Sequence, residues 1–281
     1  MTIKEALTAL TSKLENIDNG AAEARFILEN VTNLTYSEIL FKGNDSISDE
    51  MFNTAVALTE KRLAGEPIQY ILGKWDFMDY TFEVGKGVLI PRPETEELVE
   101  YIINNIKDVR NPVVYDLCSG SGCIGISIKK IKNDAKVYLV EKSDNALSYL
   151  KNNCSLLCGE MSDISVIKGD ILCIEDFSEL PKADVIVSNP PYIRSDEIPT
   201  LQPEVLKEPV MALDGGEDGM IFYRYLVSKW TEKLKENGFM AFECGEDQAV
   251  DIAELFSKIK FNSEIINDYN NIQRMVIGRR I

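Results

Sequence analysis

Asn189-Pro190-Pro191-Tyr192 is the stretch of this chain whose residue types most directly imply chemistry. It follows the apolar run Asp184-Val185-Ile186-Val187-Ser188, which reads as a buried parallel strand. An asparagine just past the C-terminal end of such a strand sits where open α/β sheets bind ligands. The two prolines stiffen the backbone and, lacking N–H groups, offer carbonyl acceptors without donors. A rigid, acceptor-rich site suits a substrate that presents an –NH₂ group. Asn189, Pro190 and Tyr192 are therefore the candidate catalytic residues, and Pro191 joins them as a candidate substrate contact. Taken alone the tetrapeptide serves equally as a strand-ending turn, so its weight depends on what surrounds it.

A second constellation lies upstream. Val113-Val114-Tyr115-Asp116-Leu117 reads as a strand, Cys118-Ser119-Gly120-Ser121-Gly122 as a tight loop, and the next residues as a helix. Glu141 ends the following strand, about 20 residues beyond the loop, where an acid accepts hydrogen bonds from a ribose diol. Gly120-Ser121-Gly122-Cys123-Ile124-Gly125 matches the G-x-G-x-x-G string of dinucleotide sites. However, the Asp116 carboxylate at the strand end repels a pyrophosphate and suits the ammonium of a methionine moiety. Gly169-Asp170 closes the third strand, where an acceptor takes adenine amino protons. These features favour S-adenosylmethionine, leaving as S-adenosylhomocysteine, over NAD. The candidate cofactor residues are Asp116, Cys118, Ser119, Gly120, Ser121, Gly122, Glu141, Asp170, Ile171 and Asn189.

The elements that must position these residues follow from periodicity. Residues 1–65 read as a small helical domain, with Thr2 as a cap and Thr35-Tyr36-Ser37-Glu38 as a capping box. Residues 66–92, punctuated by glycine and proline around short aromatic runs, read as a β-hairpin linker. From 93 to 281 strands near 113–117, 136–141, 164–168, 184–188 and 239–244 alternate with helices near 122–132, 144–153, 219–236 and 246–260. That alternation predicts an α/β fold with a mostly parallel, Rossmann-like sheet covered on both faces. Ser263–Asn267 and Arg274–Gly278 have no helix between them and predict a C-terminal antiparallel hairpin. The long stretch 194–218 predicts a functional loop.

Composition narrows the chemistry further. The chain has 281 residues, a formal net charge of −16 and no histidine. The negative surface disfavours free nucleic acid, whose non-specific affinity comes mainly from phosphate neutralisation. The missing histidines remove Ser-His-Asp and Cys-His catalysis. The six cysteines form no C-x-x-C pair, so no metal is expected and the thiols read as buried groups in a reducing cytoplasm. No apolar run approaches the roughly 20 residues needed to span a bilayer, and Met1-Thr2-Ile3-Lys4-Glu5 lacks the form of a signal peptide.

With Asp-Leu-Cys-Ser-Gly-Ser-Gly (116–122), Glu141 and Asn-Pro-Pro-Tyr (189–192), the chain resembles the amino-methyltransferase branch of the class I methyltransferases. Gly65–Gly73, Ile90-Pro91-Arg92-Pro93-Glu94-Thr95-Glu96, Glu208-Pro209 and Leu213-Asp214-Gly215-Gly216 narrow the resemblance. Together they resemble the bacterial peptide chain release factor glutamine methyltransferases, the PrmC/HemK family. The resemblance spans the chain. It implies methyl transfer to the glutamine amide in the Gly-Gly-Gln motif of class 1 release factors, with the helical domain recognising the release factor. It also implies that Arg92, Glu94 and Thr95 line the methionine or substrate side. Cys118 stands where that family usually has glycine, which costs of order 1 kcal/mol if the position needs φ > 0. The alternatives are a methyltransferase of DNA or RNA base amines, a non-catalytic S-adenosylmethionine-binding module and, less compatibly with Asp116, an NAD enzyme.

Overall fold

A computed structural model describes residues 1–159 and 162–280, and the chain divides into two compact units. The first comprises Met1–Lys74 together with Gln202–Lys207. Its helices are α1 (Ile3–Lys13), α2 (Gly20–Thr32), α3 (Tyr36–Phe41), α4 (Asp49–Leu63) and α5 (Ile68–Leu72). Thr2 with Glu5, and Thr35 with Glu38, form reciprocal capping boxes that satisfy the first free N–H groups of α1 and α3. Ile3, Ala6, Leu10, Leu14, Ala24, Ile27 and Leu28 supply the buried apolar stripe. Arg62 of α4, 6% exposed, lies between Glu23 at 2.6 Å and Glu204 at 2.9 Å, which ties the short 202–207 segment to this unit.

Helix α5 falls inside the stretch expected to be only a β-hairpin linker. Pro67 precedes it with φ −55° and Gly73 follows with φ +74°. Proline before a helix and a left-handed glycine after it define a helical turn as well as they punctuate strands.

The second unit runs from Trp75 to Leu201 and resumes at Glu208. It opens in the hairpin β1 (Lys74–Phe77) and β2 (Tyr80–Glu83). There follow α6 (Glu94–Ile106), β3 (Val113–Leu117), α7 (Cys123–Ile131), β4 (Lys136–Glu141), α8 (Asp144–Cys158) and β5 (Ile164–Lys168). The chain continues through β6 (Ala183–Ser188), α9 (Ile221–Lys229), β7 (Leu234–Glu243), α10 (Ala249–Lys258), β8 (Phe261–Asn267) and β9 (Gln273–Arg280). The strand order is β5-β4-β3-β6-β7-β9-β8, parallel throughout except for β9, which runs antiparallel to both neighbours. The sheet is the expected mostly parallel one, and its antiparallel C-terminal hairpin places β9 between β7 and β8. Both faces are covered, one around Leu98, Ile102, Ile126 and Leu139, the other around Tyr115, Ile186, Trp230 and Phe256.

One boundary differs from its expectation. The helix expected over 219–236 stops at Lys229, turns once as a 3₁₀ helix through Lys233, and gives way to β7 at Leu234. Trp230 causes the break: it is wholly buried against Tyr115 and Phe177, and its indole N–H donates to the Ile171 carbonyl at 2.8 Å. Leu234 pairs with Ala183, Phe239 pairs with Val185, and a register shift absorbs the polar residues between. The polar run Lys235-Glu236-Asn237 hid this first part of the strand from periodicity. The stretch 194–218 contains only short 3₁₀ turns, at Ile198–Thr200, Val205–Lys207 and Val210–Ala212.

Candidate active site

β3 and β6 are neighbours, yet the chain leaves β3 toward β4 on one side and reaches β6 only later on the other. This is the topological switch point of the sheet, and a cleft opens beyond the strands' C-terminal ends there. The cleft encloses about 1020 Å³ including its mouth. Four successive strand ends build its floor: Cys118–Ser121 after β3, Glu141–Ser143 at β4, Gly169–Leu172 after β5, and Asn189 with Pro191 after β6. The segment 87–92, Thr95 of α6, and Pro209, Met211 and Ala212 complete the walls.

The loop after β3 depends on its glycines. Gly122 has φ +86°, and a Cβ there would lie 2.5 Å from Leu150 and 2.7 Å from Ile126. A Cβ on Gly125 would lie 2.2 Å from Leu139, so only glycine lets α7 approach the sheet this closely. Cys118 does adopt a left-handed conformation, φ +63°, and carries the expected strain of order 1 kcal/mol. Burial, then the nearby Glu141 charge, pushes its thiol well above the usual range, so it stays protonated.

Glu141 is held from both sides. Gly120 N–H donates to one carboxylate oxygen at 2.9 Å and Ser143 N–H to the other at 2.7 Å. Each oxygen keeps a free lone pair, the arrangement that accepts a diol. At Asp170, one oxygen accepts from Leu172 N–H at 3.0 Å and the other meets Lys142 at 2.7 Å. Ser121 adds a buried hydroxyl to the cleft wall. Val88, Ile90, Ile124 and Ile171 give the cleft its apolar walls.

Asp116 lies elsewhere than expected. It is wholly buried and forms no part of the cleft wall; one oxygen accepts from Gly125 N–H at 2.9 Å, beneath the start of α7. Burial, with a further contribution from Glu141, pushes its carboxyl up to about 7. Gly122, Pro190, Tyr192 and Glu94 also stand outside the lining. Pro190 is buried and Glu94 half-buried at the start of α6. Tyr192 packs into the core on one face of the sheet, and its carbonyl accepts from Gln248 at 2.9 Å. Arg92 and Pro191 do line the cleft, as do Cys118, Ser119, Gly120, Ser121, Glu141, Asp170, Ile171 and Asn189.

Two further carboxylates belong to this region, neither marked by a sequence motif for chemistry. Glu208, 4% exposed, accepts from Ile90 N–H at 3.0 Å and from the Arg92 guanidinium, and so holds the 87–92 wall. Glu208→Ala is expected to lower unfolding free energy by about 1–3 kcal/mol, because it leaves Ile90 N–H and Arg92 unpaired; chemical denaturation measures it. Glu243, the last residue of β7, is 4% exposed and accepts from the Thr95 hydroxyl at 2.5 Å. The rule that marks Glu141, an acid at the end of a buried strand, marks Glu243 as well.

The family model described as PrmC N-terminal domain matches residues 5–73, and that described as Methyltransferase small domain matches residues 95–237. The Release factor glutamine methyltransferase of Thermodesulfovibrio yellowstonii is 38% identical over 242 residues, 85% of each chain. That of Clostridium botulinum is 35% identical over 271 residues, 95% of each chain. Among solved structures, a methyltransferase from Pyrococcus furiosus superposes with a TM-score of 0.52 at 19% identity, covering 71% of this chain and 89% of its own, a likeness of fold alone.

Proposed function

We infer, because this chain belongs to the family of release factor glutamine methyltransferases, that it methylates the side-chain amide nitrogen of a release factor glutamine. The methyl donor in this reading is S-adenosylmethionine, and the target is the glutamine of the Gly-Gly-Gln motif in class 1 release factors. The helical unit would recognise the release factor, and the reaction would occur in the cytoplasm. The observation that carries the reading is that Asn189 and Glu141 line one cleft at the switch point of the sheet.

The residues of the cleft fit the cofactor. Glu141 offers a doubly anchored carboxylate for the ribose diol, Asp170 an acceptor for adenine amino protons, and Ile90, Ile124 and Ile171 apolar surface for the base. When bound, S-adenosylmethionine supplies a methyl group on an electrophilic sulfonium. An amide nitrogen is a weak nucleophile because its lone pair is delocalised into the carbonyl. Asn189 Oδ1 and the Pro190 carbonyl each accept one proton of the substrate –NH₂, holding the lone pair toward the methyl group. Orientation of this kind contributes up to roughly 7–11 kcal/mol in favourable cases. Tyr192 and Pro191 hold the backbone of the acceptor pair, and Arg92 and Glu94 border the substrate side. The nitrogen's surplus proton leaves to water.

Labelled methyl transfer tests the reading. A purified class 1 release factor should become labelled, and the same protein with its Gly-Gly-Gln glutamine replaced should not. The net charge of −16 weighs against base amines as substrates. Label on the substituted release factor, or on added nucleic acid in its place, would refute the assignment.

A further inference from the structure

Behind Asn189 lies a short polar chain that reaches into the protein. Asn189 Nδ2 donates to Thr95 Oγ1 at 3.4 Å, and Thr95 Oγ1 donates to Glu243 Oε2 at 2.5 Å. Thr95 is 1% exposed and Glu243 4% exposed. They come from different elements, the second residue of α6 and the last of β7, while Asn189 follows β6. A threonine hydroxyl has one proton to give. If that proton goes to Glu243, only a lone pair remains for Asn189, and a lone pair can meet only the amide's N–H end.

We propose that Thr95 and Glu243 are positioning residues, the ionised Glu243 carboxylate fixing the Thr95 hydroxyl so that Asn189 turns its Nδ2 inward and its Oδ1 to the cleft. The proposal rests on Asn189 being the acceptor for the substrate –NH₂. A flipped amide would set N–H against N–H there and abolish the orientation of the lone pair. The two ends of an amide have nearly the same shape, so packing discriminates poorly between them; a directional hydrogen bond does.

Protonation of Glu243 reverses the chain. Its O–H then donates to Thr95, the Thr95 proton is freed toward Asn189, and the partner it seeks is Oδ1. Burial pushes Glu243 up to about 7, against the lowering effects of the Thr95 hydrogen bond and of Arg274. Glu94 raises it further and the Asn189 hydrogen bond lowers it. Besides Arg274 on β9 and Glu94 on α6, the titratable groups around it are Tyr192, Tyr223 on α9, Cys123 at the start of α7, and Cys244. Burial raises all four above their ordinary values, so they hold their protons where Glu243 titrates. Maximal turnover therefore belongs above the carboxyl's pKa, with an acid limb below it.

The test measures kcat and KM of the full chain on a class 1 release factor at saturating S-adenosylmethionine, from pH 5.5 to 9, an interval of about two units around the expected transition. Thr95→Val is expected to lower kcat on the order of tenfold, short of the roughly 10²–10³ for deleting a positioned polar group outright. S-adenosylmethionine affinity, read separately by calorimetric titration, should stay unchanged, and Thr95→Ser should restore most of kcat. Glu243→Gln should lower kcat and flatten the acid limb. Asp116, pushed up by burial beneath α7, titrates alike in wild type and variants, so a limb due to Asp116 would survive in Glu243→Gln. A surviving limb, or a wild-type kcat in Thr95→Val while Asn189→Ala is inactive, overturns the proposal. Full activity in Asn189→Ala overturns instead the acceptor role on which it rests. Should Glu243→Gln fail to fold, the Thr95→Val and Thr95→Ser pair decides the matter.

Discussion

Asn189→Ala is expected to lower kcat by roughly 10²-fold or more while leaving folding and S-adenosylmethionine affinity near normal. The expectation follows from what the side chain touches. Asn189 is half-buried at the cleft wall, and its side-chain amide donates to Thr95 beside the Glu243 carboxylate. Removing it leaves the shorter Thr95–Glu243 hydrogen bond in place, so no buried charge loses its principal partner. Pro190 and Pro191 continue to restrict the backbone. The ribose contacts assigned to Glu141 lie across the switch point and are untouched. On the proposed mechanism, what disappears is one of two acceptors for the substrate's amide protons. A loss of 10²-fold equals about 2.7 kcal/mol, the scale of one preorganised contact. Steady-state kinetics with a release factor substrate, beside calorimetric titration of the cofactor, separates the two quantities. Retention of the full rate would end the assignment of Asn189.

The parts of the fold that could be read from sequence were those where one physical signal dominates. β3, β4 and β5 lie where Val113–Leu117, Lys136–Glu141 and Ile164–Lys168 are apolar and β-branched between polar joints. For β3 and β4, buried on both faces, such a run has few other solutions, while β5 at the sheet edge is only half-buried. The cleft was legible for the same reason: once β3 and β6 are parallel neighbours, the residues that follow them must share one edge of the sheet. The parts that could not be read depend on partners distant in sequence. Glu208 reaches Ile90 and Arg92, 118 and 116 residues away, and Glu243 reaches Thr95, 148 residues away. Trp230 ends α9 because the Ile171 carbonyl, 59 residues earlier, accepts its N–H. Asp116 shows the limit of reasoning from strand ends. Side chains alternate along a strand, and Asp116 lies one residue before the end of β3, where its carboxylate turns beneath α7 rather than into the cleft.

Glu141→Ala should produce the opposite kinetic pattern, a dissociation constant for S-adenosylmethionine raised roughly 10²-fold or more, with a smaller loss of kcat at saturation. Hydrogen bonds to a charged acceptor contribute about 1.5–3 kcal/mol each, so losing the diol contacts alone accounts for about that factor. The substitution also frees Gly120 N–H and Ser143 N–H, so the loop after β3 loses a tether. Fold stability should suffer less than these losses imply, because the Glu141 charge is one cause of the raised Asp116 carboxyl. Removing it relieves that repulsion and should bring Asp116 back toward the ordinary carboxylate range. Glu141→Gln makes the sharper comparison. Its one amide oxygen can serve Gly120 or Ser143 but not both, and its N–H₂ end opposes whichever donor remains. Affinity in Glu141→Gln should therefore fall almost as far as in Glu141→Ala, although the side chain keeps its volume. Calorimetric titration of each variant gives the constants directly. An unchanged dissociation constant in Glu141→Ala would remove the ribose from this position, and the choice of a nucleoside methyl donor would lose its main support in the cleft. Together with Asn189→Ala, the pair assigns cofactor binding to the β4 end of the switch point and orientation of the amide to the β6 end, because each substitution should leave the other's quantity nearly intact.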